Sequence, residues 1–170
     1  MRLRTLVDAA RAVAESSGRL QKIHHLAHLL GQVPPDEIVV AVGFLTGLPR
    51  QGRIGVSGAA IREARAVSPA EQDTLEILEV DAALDRMAST SGAGSSAAKT
   101  GMLRDLFRRA TEDEQDFLVR LLFGELRQGA LEGVLLEAVA RASKIPAARI
   151  RRDDAGRVAA RDRPGGARRG

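Results

Sequence analysis

Shifted by 77 residues, the chain matches itself without a gap. PPDEIVVAVGFLTGLPRQGRI, from Pro34, lies over TEDEQDFLVRLLFGELRQGAL, from Thr111. Eight of those 21 positions are identical: Asp36/Asp113, Glu37/Glu114, Val42/Val119, Leu45/Leu122, Gly47/Gly124, Arg50/Arg127, Gln51/Gln128 and Gly52/Gly129. The same offset pairs Lys22 with Lys99, Leu26 with Leu103 and Leu29 with Leu106. A repeat constrains architecture more than composition does, because both copies must adopt one local structure. Two copies predict a domain with internal pseudo-twofold symmetry; three or more would predict a solenoid.

The repeat decides a segment that is ambiguous alone. IVVAVGFL, residues 38–45, is rich in β-branched side chains and could be a buried strand. Its second copy, DEQDFLVRLLFG, has few such residues, and Thr111 with Glu114 forms a capping box. A helix is predicted there, and so in the first copy too. Pro34 then takes the N-cap, with Pro35 tolerated at the first helical position.

Apolar spacing predicts further helices over 3–15 and 20–30, with a turn at 32–35. A glycine-rich loop spans 46–58, followed by a short helix over 59–66. Ser68-Pro69-Ala70-Glu71 has the form of a helix start, with Ser as N-cap and Pro at the first position. That helix is predicted to reach Met87. Residues 89–96, STSGAGSS, read as a flexible connection. Helices follow over 97–109, 112–123 and 131–142, with a short one after Pro146. The expectation is an all-α domain of eight to nine helices over 1–152. Residues 153–170 hold one large apolar side chain, Val158, so a disordered Arg/Gly-rich tail is expected.

Composition narrows the function classes. Aromatic content is 2%, all Phe, so holding single strands by base stacking is disfavoured. With no cysteine, disulfides and thiolate metal sites are excluded. No apolar run reaches the roughly 18 residues of a membrane span, and the N-terminus lacks a secretion-signal core; a cytoplasmic monomer is expected. The net charge of +4 is unevenly spread. Residues 1–144 hold 18 Lys+Arg against 19 Asp+Glu, while 145–170 hold eight Arg against three Asp. Any nucleic-acid binding by the body must therefore come from local placement of charge.

The loops GLPRQGRIG (47–55) and GELRQG (124–129) are the candidate sites. Glycine at both ends permits positive φ and close backbone approach. Exposed N–H groups beside an arginine form a small anion-binding concavity. Two copies about a pseudo-dyad would suit the two antiparallel strands of a duplex, held by backbone without sequence readout. Glycine after a helix is also an ordinary C-cap, with the arginine simply solvated. Both readings are open at this point.

AVGFLTGLPRQGRIGVSGAAIREA (41–64) and FLVRLLFGELRQGALEGVLLEAVARA (117–142) resemble the N-terminal DNA-binding domain of ATP-dependent DNA ligases of the bacterial and archaeal type. The resemblance covers about residues 1–152. It implies a helical, pseudo-twofold domain that grips the minor groove of nicked double-stranded DNA, in repair, replication or recombination. It implies backbone contacts at Gly47, Arg50, Gln51, Gly52, Arg53, Gly124, Arg127, Gln128 and Gly129. A complete ligase of this family uses ATP and Mg²⁺ and adenylylates a lysine in a Lys-x-Asp-Gly motif. Lys22 (KIHH), Lys99 (KTGM) and Lys144 (KIPA) lack that context. No catalytic residue or cofactor is therefore assigned to this chain. It reads as a truncated gene product or a free-standing domain, inactive alone, with a nucleotidyltransferase domain in trans as a possible partner. The alternative is a helical protein-interaction module, or ligase remnant, without DNA binding.

Other constellations carry less. His24 and His28 lie one helical turn apart but have no third ligand nearby. GAGSSAAKT (92–100) lacks the glycine before lysine that a phosphate-binding loop needs. The tail arginines could form an auxiliary DNA-binding arm, but a solvated end is the default for such composition. Asp153-Asp154 and Asp36-Glu37 read as tail and helix-start charges.

Overall fold

Seven helices lie among the residues that the computed structural model describes, which are 1–126, 133–135 and 137–139. They are α1 (Leu3–Glu15), α2 (Arg19–Leu30), α3 (Ile38–Thr46), α4 (Gly58–Arg65), α5 (Ile77–Ser89), α6 (Ser95–Arg109) and α7 (Glu112–Phe123). Residues 133–135 and 137–139 are also helical. The described residues hold no sheet, only an isolated bridge between Arg2 and Glu76. The chain is all-α, as predicted.

The repeat is wider in space than in sequence. α2 and α6, and α3 and α7, are related by the 77-residue offset. α1 and α5 are related by 74, visible only in burial: Leu3/Ile77, Leu6/Val80, Val7/Asp81 and Val13/Met87 are matched buried pairs. The connector after α5, 90–94 against 16–18, is two residues longer, and α6 begins one residue before the position that pairs with the start of α2, which together shift the register by three. The two halves interlock: α4 packs on α6, α1 on α7 and α3 on α5. Leu26 and Leu103, repeat mates, are wholly buried, as are Phe44 and Phe107. Each such side chain contributes about 1.5–3 kcal/mol on burial.

Two predicted helix starts are corrected. α3 begins at Ile38, not at Pro35, and 35–37 form a turn. In the second copy Glu114 reaches back to accept the Thr111 N–H at 2.8 Å. Its mate Glu37 has no such donor, because Pro34 lacks an N–H. Glu37 instead accepts from the Met1 amine, at 2.6 and 2.8 Å.

The helix predicted from Ser68 does not form until Ile77. Three backbone groups within 68–76 take tertiary partners instead. Ala70 N–H donates to Ala110 O at 2.9 Å, and Leu75 O accepts from Leu3 N–H at 2.9 Å. Arg2 donates to Thr74 O. The capping box sits at Glu76 and Glu79, with Glu76 N–H donating to Glu79 at 3.0 Å. Local start chemistry at Ser68 loses to pairing with the chain's first residues.

The predicted helix over 131–142 is helical where it is described. The helix after Pro146, the boundary at 152 and the tail 153–170 lie outside the described residues. Among those residues, no helix is long and apolar enough to cross a membrane.

Candidate nucleic-acid interface

α3 ends at Gly47, which takes a left-handed conformation (φ 69°, ψ 21°). Leu48 N–H then donates to Gly43 O at 2.8 Å, closing a Schellman turn. A loop follows to Ser57, whose side chain caps α4 by accepting from Ala60 N–H. Within it Gly52 (φ 65°) and Gly55 (φ 70°) lie where L-residues are strained.

Arg50 and Gln51 of this loop turn onto α5. Arg50 Nε donates to both oxygens of Asp81, at 2.7 and 2.9 Å, and Nη2 pairs with Asp81 at 2.6 Å and with Asp85. The hydrogen bond to Asp81 is the main cause holding the guanidinium above its ordinary pKa. Gln51 Nε2 donates to the Asp81 carboxylate at 2.8 Å and to Asp81 O at 3.1 Å. Asp81 is only 7% exposed. Two of the predicted site residues thus anchor the loop.

Other cations border the same loop. Arg53 is exposed. Lys99, from α6, donates its Nζ to Ile54 O at 3.0 Å and Gly55 O at 3.3 Å. A Cβ added at Gly58 would sit 3.5 Å from Arg62 Nη1 and 3.1 Å from the Phe123 ring. Arg62 is a functional candidate that the sequence does not single out, and Lys99 one that it offers only as a catalytic lysine or as part of a phosphate-binding loop. The offset pairs Lys99 with Lys22, but which loop Lys99 reaches depends on how the halves interlock.

The second loop opens in the same way. Gly124 ends α7 with φ 73° and ψ 18°. Gly47, Gly52 and Arg53 line one cleft with Phe123 and Gly124, so the first loop meets the C-terminal end of α7, where the second loop begins. The cleft's volume, about 280 Å³, falls just under the 300–1,000 Å³ typical of small-molecule pockets. Phe123 remains 43% exposed at its edge. Arg127, Gln128 and Gly129 lie outside the described residues.

The discounted constellations have local partners. His28 pairs with Gln32 at 2.9 Å, and His24 meets His25 edge-on. Among the described residues no group of three or more His, Cys, Asp or Glu could hold a metal ion.

The sequence model of the family described as "DNA ligase N terminus" matches residues 45–140. A "Probable DNA ligase" of Anaeromyxobacter sp. (strain Fw109-5) is 50% identical over 153 residues, 89% of this chain and 30% of the relative. One of Anaeromyxobacter dehalogenans (strain 2CP-1 / ATCC BAA-258) is 50% identical over 154 residues, with the same coverage. One of Pseudarthrobacter chlorophenolicus is 47% identical over 152 residues, again 89% and 30%. The chain thus spans about 30% of the length of these curated relatives.

Proposed function

The chain belongs to the DNA ligase N-terminal family, and from that premise we propose that it clamps duplex DNA, nicked duplex included, by its sugar–phosphate backbone. It does so without reading sequence, in repair, replication or recombination. The observation that supports this reading is that the first loop and the start of the second share one cleft. Both follow a helix that ends in a left-handed glycine, and Gly47 and Gly124 line the same cleft. Gly47, Gly52 and Gly124 bring backbone close to the ligand, and arginines of both loops supply charge, Arg127 with Gln128 and Gly129 in the second. Nick sealing, with ATP and Mg²⁺, falls to a nucleotidyltransferase domain acting with this one, since none of the three lysines stands in a Lys-x-Asp-Gly motif.

The test is a titration of labelled duplexes, intact and nicked, in two unrelated sequences and over a range of salt. Affinity should fall linearly with log salt and be the same for both sequences. No binding at about 50 mM salt, or a strong sequence preference, would overturn the proposal. One observation favours a second reading, a helical protein-interaction module: Arg50 is already neutralised by two carboxylates. That reading expects the blank titration.

A further inference from the structure

Building on the duplex-binding reading, we infer that Arg53, Lys99 and Arg62 hold phosphate at the first loop, while Arg50 and Gln51 only fasten that loop to α5. Arg50 is surrounded by Asp81 and Asp85, and the three charges sum to minus one. A phosphate approaching them meets net repulsion. Asp81 is buried, and a buried carboxylate that loses its guanidinium is strongly destabilising. Arg50 therefore cannot be lent to a ligand cheaply. Gln51 adds two hydrogen bonds to the same aspartate and strengthens the fastening.

The other three cations differ. Arg53, Lys99 and Arg62 make no ion pair among the described residues. An ammonium has three donors. Lys99 directs its Nζ to two neutral carbonyls, so its charge stays uncompensated and a donor remains. All three border one short stretch of backbone. Arg53 lines the cleft, Lys99 Nζ lies 2.9 Å from where a Cβ on Gly55 would be, and Arg62 Nη1 lies 3.5 Å from one on Gly58. Glycine at 55 leaves room for the ammonium that a side chain would displace. The grip is also lopsided. Under the 77-residue offset the counterparts of Arg53, Lys99 and Arg62 are Ala130, Lys22 and Val139.

The experiment is the salt dependence of duplex affinity, measured on the full chain. Arg53→Gln, Lys99→Gln and Arg62→Gln keep the side-chain stem and remove the charge. Each should lower the slope of log K against log salt by about one and weaken binding roughly tenfold near 0.1 M salt. Arg50→Ala should weaken binding but leave the salt slope of the triple variant unchanged, because it fastens the loop and does not itself hold phosphate. A direct phosphate ligand would remove about one more unit of slope there. A wild-type slope in the triple variant, or that further unit from Arg50→Ala, overturns the inference alone. Failure of the wild-type chain to bind overturns the duplex-binding reading and the inference with it.

Discussion

α3 and α7 end alike and begin differently. At the C-terminal ends Gly47 and Gly124 agree within a few degrees in φ and ψ. Leu48 N–H donates to Gly43 O at 2.8 Å, and Glu125 N–H to Arg120 O at 2.9 Å, at paired positions. At the N-terminal ends the paired glutamates part company, Glu114 to its own helix and Glu37 to Met1. The left-handed turn needs only glycine, so it persists while the sequence around it drifts. The capping box needs an N–H at the N-cap, which Pro34 cannot provide, so the same carboxylate finds another donor. A repeat preserves what the backbone alone dictates and loses what depends on a second side chain or a donor.

Gly43 and Arg120 give the largest test of that likeness. They occupy paired positions, but a Cβ on Gly43 would lie 2.9 Å from Leu48 O, a backbone atom. Leu48 and Pro49 fold back over α3, and Pro49 Cα lies 3.6 Å from the same point. Gly43→Ala should cost on the order of 2–3 kcal/mol, within the range of overpacking. Arg120→Ala, at an exposed position, should change stability by under about 0.5 kcal/mol. Urea denaturation of both variants decides it. Equal effects would mean that the turns are not packed as differently as the glycine requires.

The N-terminal difference gives a smaller effect. Glu114 is fully buried and also accepts from Thr111 Oγ1 at 3.0 Å. Glu114→Ala should cost about 1 kcal/mol through loss of the cap. Thr111→Ala in the same chain should then add little, since both residues form one device. Additive losses in the double variant's melting curve would show that Glu114 acts through something other than the cap.

What the sequence makes legible follows the same division. Both copies of the repeated helix, the glycine that ends each and the Thr111 cap can be read directly. The cause lies within a few residues, and the repeat presents it twice. The start at Ser68 misleads because its competitors, Met1 to Leu3 and Ala110, are far away in sequence. Arg50 reads as a free cation in a glycine loop, since nothing local announces Asp81 and Asp85 on α5. Lys99 reads as part of a failed phosphate loop and becomes a site candidate only when α6 packs against the other half. Propensity and capping are local; the partner of a surface charge is set by tertiary packing.

Asp36 and Asp113 extend the comparison to the smallest effect. They are repeat mates, Asp113 in the first turn of α7 and Asp36 in the turn that precedes α3. Asp36 is exposed and makes no ion pair among the described residues, whereas Asp113 binds Arg11 and, at 2.8 Å, Arg4. The hydrogen bond from Arg11 is the main cause that holds the Asp113 carboxyl below the usual carboxylate range. Protonation is then harder in the folded chain than in the unfolded one. The pair's contribution is present above the ordinary carboxylate range and is lost as pH falls through the depressed value. Asp113 is more than a third exposed, so solvent screening keeps the effect small. Stability measured by urea from neutral to acid pH should fall less steeply in Asp113→Asn than in the wild type, because one of the groups that resists protonation is gone. An acid limb in Asp113→Asn as steep as the wild type's would show that the arginines of α1 do not hold this carboxyl down, and that the two copies are more alike at this end than their partners suggest.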